Sequence, residues 1–137
     1  MDELPDRWIL PAAGHTVSRW CVGDTLTIEL SNGDHAGAVI HIAGPFEFRA
    51  ARRFWQRFWR PDTSHDALRF APKKQSELKV KRAEAYKDGT LDMAFDDGSR
   101  LRVPPDAMFE AWEFTGPHEE KVIALPGGEL AIWRTAA

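Results

Sequence analysis

The chain has 137 residues, of which 43% are hydrophobic and 11% aromatic, so it can fill one hydrophobic core and is not expected to be disordered as a whole. Its single cysteine, Cys21, excludes an intrachain disulfide and a cysteine-rich zinc site. The net charge of -3 conceals a basic middle segment, residues 49–87 with 12 basic and 4 acidic side chains, which either pairs with its acidic flanks or binds an anionic partner.

The N-terminal part of the chain predicts an arm followed by strands. Residues 1–14 are expected to form an extended arm that docks on the body through Trp8. Residues 15–48 contain alternating apolar and polar positions on both sides of Asn32-Gly33, a dipeptide that tolerates the positive φ of a tight hairpin turn. We therefore predict an antiparallel hairpin here, followed by a short extended piece after Gly44-Pro45.

Residues 49–75 form a basic aromatic insert whose first half has two interpretations. Phe54 and Phe58 are four residues apart, as are Trp55 and Trp59, which on a helix would make one aromatic stripe. On a strand, Phe54 and Phe58 would share one face and Trp55 and Trp59 the other. A further helical turn is predicted over residues 64–71, and the insert is therefore expected to be partly helical.

Residues 76–134 predict a meander of short strands with tight turns between them, in which adjacent strands pair antiparallel. A hairpin in residues 88–103 repeats the design of the one in residues 23–42, which indicates either two related halves or ordinary convergence of hairpin sequences. We therefore predict a single α+β domain, mostly antiparallel β. Its two hairpin or meander halves would form a sheet or a partly open barrel, with one or two short helices between them.

Catalytic and metal-binding patterns are absent from the sequence. The five histidines never stand at metal-ligand spacing, and there is no HExxH, GxSxG, P-loop or GxGxxG pattern. We predict no catalytic residues, no metal site and no cofactor. The one candidate pocket is suggested by carboxylates flanking a tryptophan, where a general acid or base could be held, and it consists of Glu110, Trp112, Glu113 and Trp133.

The basic aromatic insert carries the sharpest signal for a surface site. Arginine and tryptophan together are typical of protein-interface hot spots and of stacking nucleic-acid sites. The alternative is that the aromatic rings pack on the sheet while the arginines face water. The predicted partner-binding residues are Arg52, Arg53, Trp55, Arg57, Trp59 and Arg60.

No segment approaches the ~20 apolar residues that a membrane span requires. The acidic N-terminus also lacks the features of a secretory signal. We expect a cytoplasmic protein that does not bind membranes, and the pI near 5.9 argues against nucleic acid as a partner.

Four stretches of the C-terminal part resemble a known family: FDDGSRLRVPP (95–105), EAWE (110–113), Gly116-Pro117 and PGGELAIW (126–133). Together they are similar to a small uncharacterised bacterial family, domain of unknown function 6188, mainly over residues 76–133. The resemblance implies a small β-rich protein and supplies no established activity. Some small proteins of this kind resemble immunity proteins of bacterial toxin systems, and the resemblance implies that context only.

Three functions remain open on this basis. The first is a non-enzymatic protein-binding module, in one form an immunity protein that neutralises a cognate toxin. The second is a small-molecule-binding or enzymatic β domain with a pocket near Trp112. The third is a regulatory domain that binds nucleic acid through residues 49–87. The sequence favours the first, and it does not predict the oligomeric state.

Overall fold

The structure of the protein, a computed structural model, describes residues 1–58 and 78–134. These residues form thirteen short β-strands, which we number in chain order. The strands are β1 (Asp2–Glu3), β2 (Arg7–Ile9), β3 (Thr16–Val22), β4 (Leu26–Asn32), β5 (His35–Ile42), β6 (Phe46–Arg49), β7 (Gln56–Phe58), β8 (Val80–Tyr86), β9 (Leu91–Phe95), β10 (Arg100–Val103), β11 (Trp112–Thr115), β12 (Lys121–Ala124) and β13 (Leu130–Trp133).

The strands are divided between two antiparallel sheets. Sheet A has seven strands in the order β1-β2-β8-β9-β10-β6-β7, and sheet B has six in the order β13-β12-β11-β5-β4-β3. The predicted α+β class and the partly open barrel are therefore wrong, because the described residues contain two separate sheets and no helix. The expected antiparallel character is confirmed for every strand pair in both sheets.

The chain changes sheets at proline-containing segments. Asn32-Gly33 closes the predicted β4–β5 hairpin, with Gly33 at a φ of 59°. Gly44-Pro45 then separates β5 in sheet B from β6 in sheet A, and Pro104-Pro105 separates β10 in sheet A from β11 in sheet B. A proline lacks the N–H that a continued ladder would use, so each strand ends and the chain turns away. The predicted C-terminal meander is therefore split between the two sheets.

The inner faces of the two sheets share one hydrophobic core. Sheet A contributes Phe46, Phe48, Leu91, Met93 and Leu101, all almost fully buried. Sheet B contributes alternate residues of its central strands, among them Leu26, Ile28, Ile40, Ile42 and Phe114. Burying each such side chain stabilises the fold by about 1.5–3 kcal/mol. The rings of Trp20 on β3 and Phe48 on β6 meet edge to face, with centroids 6.0 Å apart, and thereby connect the two sheets.

The basic aromatic insert does not begin with a helix. Residues 51–55 form a turn and an irregular segment, and Gln56–Phe58 form β7 at the edge of sheet A. Phe58 pairs with Phe46 of β6, and their rings stack with centroids 5.1 Å apart. The strand interpretation is therefore confirmed for residues 56–58 only, while Phe54 and Trp55 precede the strand and Phe54 does not share a buried face with Phe58. The helical turn predicted at residues 64–71 lies outside the described residues.

The N-terminal arm is built into sheet A. β1 pairs with β2, and β2 pairs in turn with β8. Trp8 is half-buried and packs against the core, which confirms the predicted docking role of this ring. The arm therefore extends sheet A by two short strands.

Candidate functional site

The outer face of sheet A is charged, because alternate residues of its strands point away from the core and several of them are arginine or glutamate. In β10, Leu101 and Val103 enter the core, so Arg100 and Arg102 point outwards. In β6, Phe46 and Phe48 enter the core, so Glu47 and Arg49 point outwards. The cross-strand register places Arg100 directly opposite Arg49 and Arg102 directly opposite Glu47.

Three arginines of this face gather around one indole ring. The guanidinium carbons of Arg49, Arg100 and Arg102 lie 5.4, 5.8 and 4.6 Å from the ring centroid of Trp55. All three distances are within the range of a cation–π attraction. We call Trp55 and these three arginines the arginine platform.

A buried carboxylate on the neighbouring strand β9 restrains two arginines of the arginine platform. Arg100 Nη2 donates to both carboxylate oxygens of Asp92, at 3.1 and 2.9 Å, and Arg102 Nε lies 3.7 Å from Asp92 Oδ2. Asp92 is only 5% exposed, whereas the side chains of Arg100 and Arg102 are 27% and 38% exposed, so the ion pairs are shielded from water on the Asp92 side alone and restrain the two arginines there. Arg49 has no carboxylate within ion-pair distance among residues 1–58 and 78–134.

A second charged pair occupies the β2–β8 side of the same face. Arg7 Nε lies 2.6 Å from Glu84 Oε2, although the N–H is not aligned for a hydrogen bond. Arg7 Nη1 also donates to the Tyr86 hydroxyl at 3.2 Å. Burial alone would lower the pKa of Arg7, but the attraction of Glu84, together with Tyr86 and Asp6, raises that pKa above its ordinary value. Arg7 therefore stays charged throughout the physiological pH range.

The connection between β6 and β7 lies beside the arginine platform and carries a protruding aromatic ring. Phe54 is 92% exposed, and Arg52 and Arg53 in the same turn are also exposed. The turn is closed by a hydrogen bond from the Arg53 amide to the Ala50 carbonyl at 3.0 Å. Arg52 has a φ of 61°, which is uncommon for a residue with a side chain.

An open depression adjoins the arginine platform on the same face of sheet A. Its volume is about 380 Å³, and its walls combine guanidinium, carboxylate and hydroxyl groups. The lining residues are Tyr86, Asp88, Thr90, Asp92, Arg100 and Arg102. The depression extends the charged surface from the arginine platform towards β8.

The predicted partner-binding residues fall partly on this surface. Trp55 is half-buried within the arginine platform, while Arg52, Arg53 and Arg57 are exposed on the β6–β7 connection and on β7. Trp59 and Arg60 lie outside the described residues. The structure thus brings together four of the six predicted residues along one side of sheet A.

The residues of the predicted pocket do not come together. Trp112 faces the core, is 1% exposed, and donates its indole N–H to the Gly89 carbonyl at 2.8 Å. Glu113, the next residue of β11, points to the opposite face and pairs with Lys121 at 2.9 Å. Glu110 is exposed in the segment before β11, and Trp133 is 53% exposed on edge strand β13. Trp112 therefore has a structural role in the fold.

Four important surface residues were not among the predicted sites: Arg49, Phe54, Arg100 and Arg102. Strand alternation could have identified the three arginines, because RLRV and FEFR each place arginine on the face opposite two apolar residues. Their convergence on Trp55 depends on the pairing of β6 with β10, which are about 50 residues apart in the chain. Nothing in the local pattern distinguishes exposed Phe54 from packed Phe58.

Two further findings concern other kinds of site. Among the described residues, no group of three or more His, Cys, Asp or Glu side chains is placed to hold a metal ion. The same part of the chain contains no helix long and apolar enough to cross a membrane.

Comparison with known proteins identifies a family but no characterised relative. No curated protein and no solved structure matches the chain. A model of a family of unknown function, DUF6188, matches residues 8–134. The match extends well beyond the C-terminal stretches in which the sequence resemblance is strongest, and includes residues 8–14 of the arm and the basic insert. The chain therefore belongs to the DUF6188 family.

Proposed function

We propose that this protein is a protein-binding module without catalytic activity, and that it engages its partner through the β6–β7 connection and the adjoining arginine platform. The observation that carries the proposal is the exposure of Phe54. A phenylalanine that is 92% exposed gains nothing from folding, and it stands next to a tryptophan that three arginines surround. Such a ring is stabilised when a partner covers it.

The composition of this surface supports the proposal. Tryptophan and arginine are among the residues that dominate binding energy in protein interfaces, where apolar anchors are surrounded by polar groups. Trp55 is already held by its neighbours, so it loses little side-chain freedom on binding. The positive φ of Arg52 is a local backbone cost, of the kind that is common at binding loops.

An immunity protein is the specific form of this proposal. Immunity proteins neutralise a toxin by covering it, and the bacterial family resemblance is what suggests this role. The partner would then be a toxin encoded beside the gene for this protein, and the two would meet in the cytoplasm. A basic aromatic surface is suited to a toxin that presents acidic and apolar side chains.

Mixing the purified chain with the purified product of the adjacent gene tests the proposal. We expect a complex in size-exclusion chromatography, and calorimetry should show that Phe54→Ala weakens it at least about tenfold, as for an interface hot spot. Met108→Ala is the matched control, because Met108 is 84% exposed and lies beyond the opposite end of β10. The control should bind like the wild type.

Two outcomes would refute the proposed binding surface. One is the absence of any complex with the neighbouring gene products. The other is a complex whose affinity is the same for the wild type, Phe54→Ala and Trp55→Ala, since a partner bound elsewhere would not sense either ring.

A further inference from the structure

We propose that the arginine platform is a carboxylate-binding site, and that its ligand is a glutamate or aspartate side chain in an acidic segment of a partner protein. This inference rests on the proposed function and specifies the chemistry of the partner. Arg49 is the arginine that receives the carboxylate, while Arg100 and Arg102 support it.

The charge balance of the arginine platform provides the first argument. Three guanidinium groups surround Trp55, Asp92 contacts two of them, and Glu47 lies directly opposite Arg102, so three positive charges stand against two negative ones. Arg49 and Arg100 occupy directly paired positions on neighbouring strands, where like charges repel each other. The site therefore has an excess of positive charge that an incoming anion would relieve.

Unused hydrogen-bond donors provide the second argument. The Nε atoms of Arg49 and Arg100 are both buried without a hydrogen-bond acceptor among the residues that the structure describes. Arg100 is already engaged through Nη2 by Asp92, whereas the indole of Trp55 is the neighbour that holds Arg49. A guanidinium group has five donors arranged as a fork that matches the two oxygens of a carboxylate. Arg49 as a whole is half-buried, so a carboxylate that approaches from solvent would reach the Nη edge of its guanidinium group, and the buried Nε would become available only if the side chain turned.

The surroundings favour a protein carboxylate over a phosphate or a nucleic acid. Phe54, adjacent to Trp55 in the chain, is an exposed apolar ring that an inorganic anion would leave uncovered. A segment that combines acidic with apolar side chains would cover the Phe54 ring and pair its carboxylates with the arginines. The net charge of -3 also weakens the attraction for a long polyanion, whose binding depends on many phosphate contacts.

A peptide titration of the full chain tests the inference. The probe is a pentapeptide with alternating glutamate and leucine, blocked at both ends, and the control is the same peptide with glutamine for glutamate. The indole N–H signal of Trp55, assigned through Trp55→Phe, is followed by NMR. We expect the glutamate peptide to shift this signal and Arg49→Gln to weaken binding at least about fivefold, the effect of losing a charged partner. Arg19→Gln, an exposed arginine on sheet B, should bind normally.

Three results would overturn the inference. Equal binding of the glutamate and glutamine peptides would exclude a carboxylate site. The site would be assigned to another anion if inorganic phosphate or an oligothymidylate bound and the glutamate peptide did not. Arg49→Gln would have to weaken that binding. A complex with the gene neighbour that is weakened by Phe54→Ala but not by Arg49→Gln would refute the carboxylate site while leaving the proposed function in place.

Discussion

Glu84 and Asp92 lie directly opposite each other on β8 and β9, and both residues are 5% exposed. Two buried like charges at paired positions repel each other. They are compensated from opposite sides, Glu84 by Arg7 and Asp92 by Arg100 and Arg102. Two of the three arginines that we propose for binding are thus held by the buried acid Asp92, which links their geometry to the stability of sheet A.

Asp92→Asn is expected to destabilise the protein by about 1–2 kcal/mol, because buried arginine contacts lose their charged partner. The substitution also removes the repulsion between Asp92 and Glu84, but the lost attraction to Arg100 is the larger effect. The Arg100 nitrogen is 2.9 Å from Asp92, whereas side chains at paired positions, such as Glu84 and Asp92, have Cβ atoms about 5 Å apart. Urea unfolding gives the free energy of unfolding directly. Asp34→Asn, on an exposed turn, should change it by less than about 0.5 kcal/mol.

A double substitution separates this ion pair from other effects at the site. If the pair accounts for the loss, Asp92→Asn combined with Arg100→Gln should cost less than the sum of the two single changes. Additive losses, or an Asp92→Asn variant as stable as the wild type, would show that the contact between Asp92 and Arg100 contributes nothing to folding.

Gly128→Ala should destabilise the fold far more than Gly127→Ala. Both glycines have positive φ, 102° and 91°, so each alanine incurs a backbone cost of about 1–2 kcal/mol. Only at position 128 would the new Cβ overlap the backbone carbonyl of Asp88, in the turn between β8 and β9, while position 127 is open. We expect a loss of at least about 3 kcal/mol for Gly128→Ala, measured by chemical denaturation. Equal losses at the two positions would mean that the two turns can move apart freely.

Local patterns in the sequence predict much of this fold. Asn32-Gly33 marks the β4–β5 hairpin because its residues accept positive φ, and Asp96-Asp97-Gly98 marks the β9–β10 hairpin in the same way. Alternation within RLRV assigns Leu101 to the core and Arg102 to the surface. These features depend on residues that are close in the chain, where turn geometry and side-chain direction are fixed together.

The division into two sheets and the site itself depend on distant pairings. β5 pairs with β11 in sheet B, and β6 pairs with β10 in sheet A, although more than 45 residues separate the strands of each pair. No periodicity encodes these partners. The spacing of Phe54 and Phe58 suited a helix as well as a strand, and the pairing of β7 with β6 shows that residues 56–58 form a strand. Trp112, predicted to line a pocket, is instead required by the core.

Trp112→Phe is expected to lower the free energy of unfolding by about 2–4 kcal/mol. The smaller ring leaves a cavity, and the Gly89 carbonyl loses the indole N–H that it accepts at 2.8 Å. Trp133→Phe is the control, because Trp133 is 53% exposed, and it should cost less than about 1 kcal/mol. Thermal unfolding of both variants measures the difference. Similar small effects would contradict the structural role of Trp112 and reopen the possibility of a pocket there.

His15→Leu is expected to leave the protein as stable as the wild type, or to stabilise it by about 1 kcal/mol. His15 is 5% exposed at the start of β3, and neither ring nitrogen has a hydrogen-bond partner in the part of the chain that the structure describes. Its backbone contacts, from its amide to Ala12 and from the Val80 amide to its carbonyl, do not depend on the side chain. An unpaired buried polar group costs about 1–3 kcal/mol, which leucine avoids while filling a similar volume.

Urea unfolding of His15→Leu and His41→Leu at neutral pH checks this expectation. His41 is exposed on β5, and its Nδ1 lies 3.0 Å from the Thr27 hydroxyl, so its replacement removes a hydrogen bond and should slightly destabilise the protein. The free energy of unfolding should therefore be higher for His15→Leu than for His41→Leu. A loss of more than about 2 kcal/mol for His15→Leu would contradict this expectation, because it would mean that the imidazole is hydrogen-bonded in solution or that leucine does not fit the site.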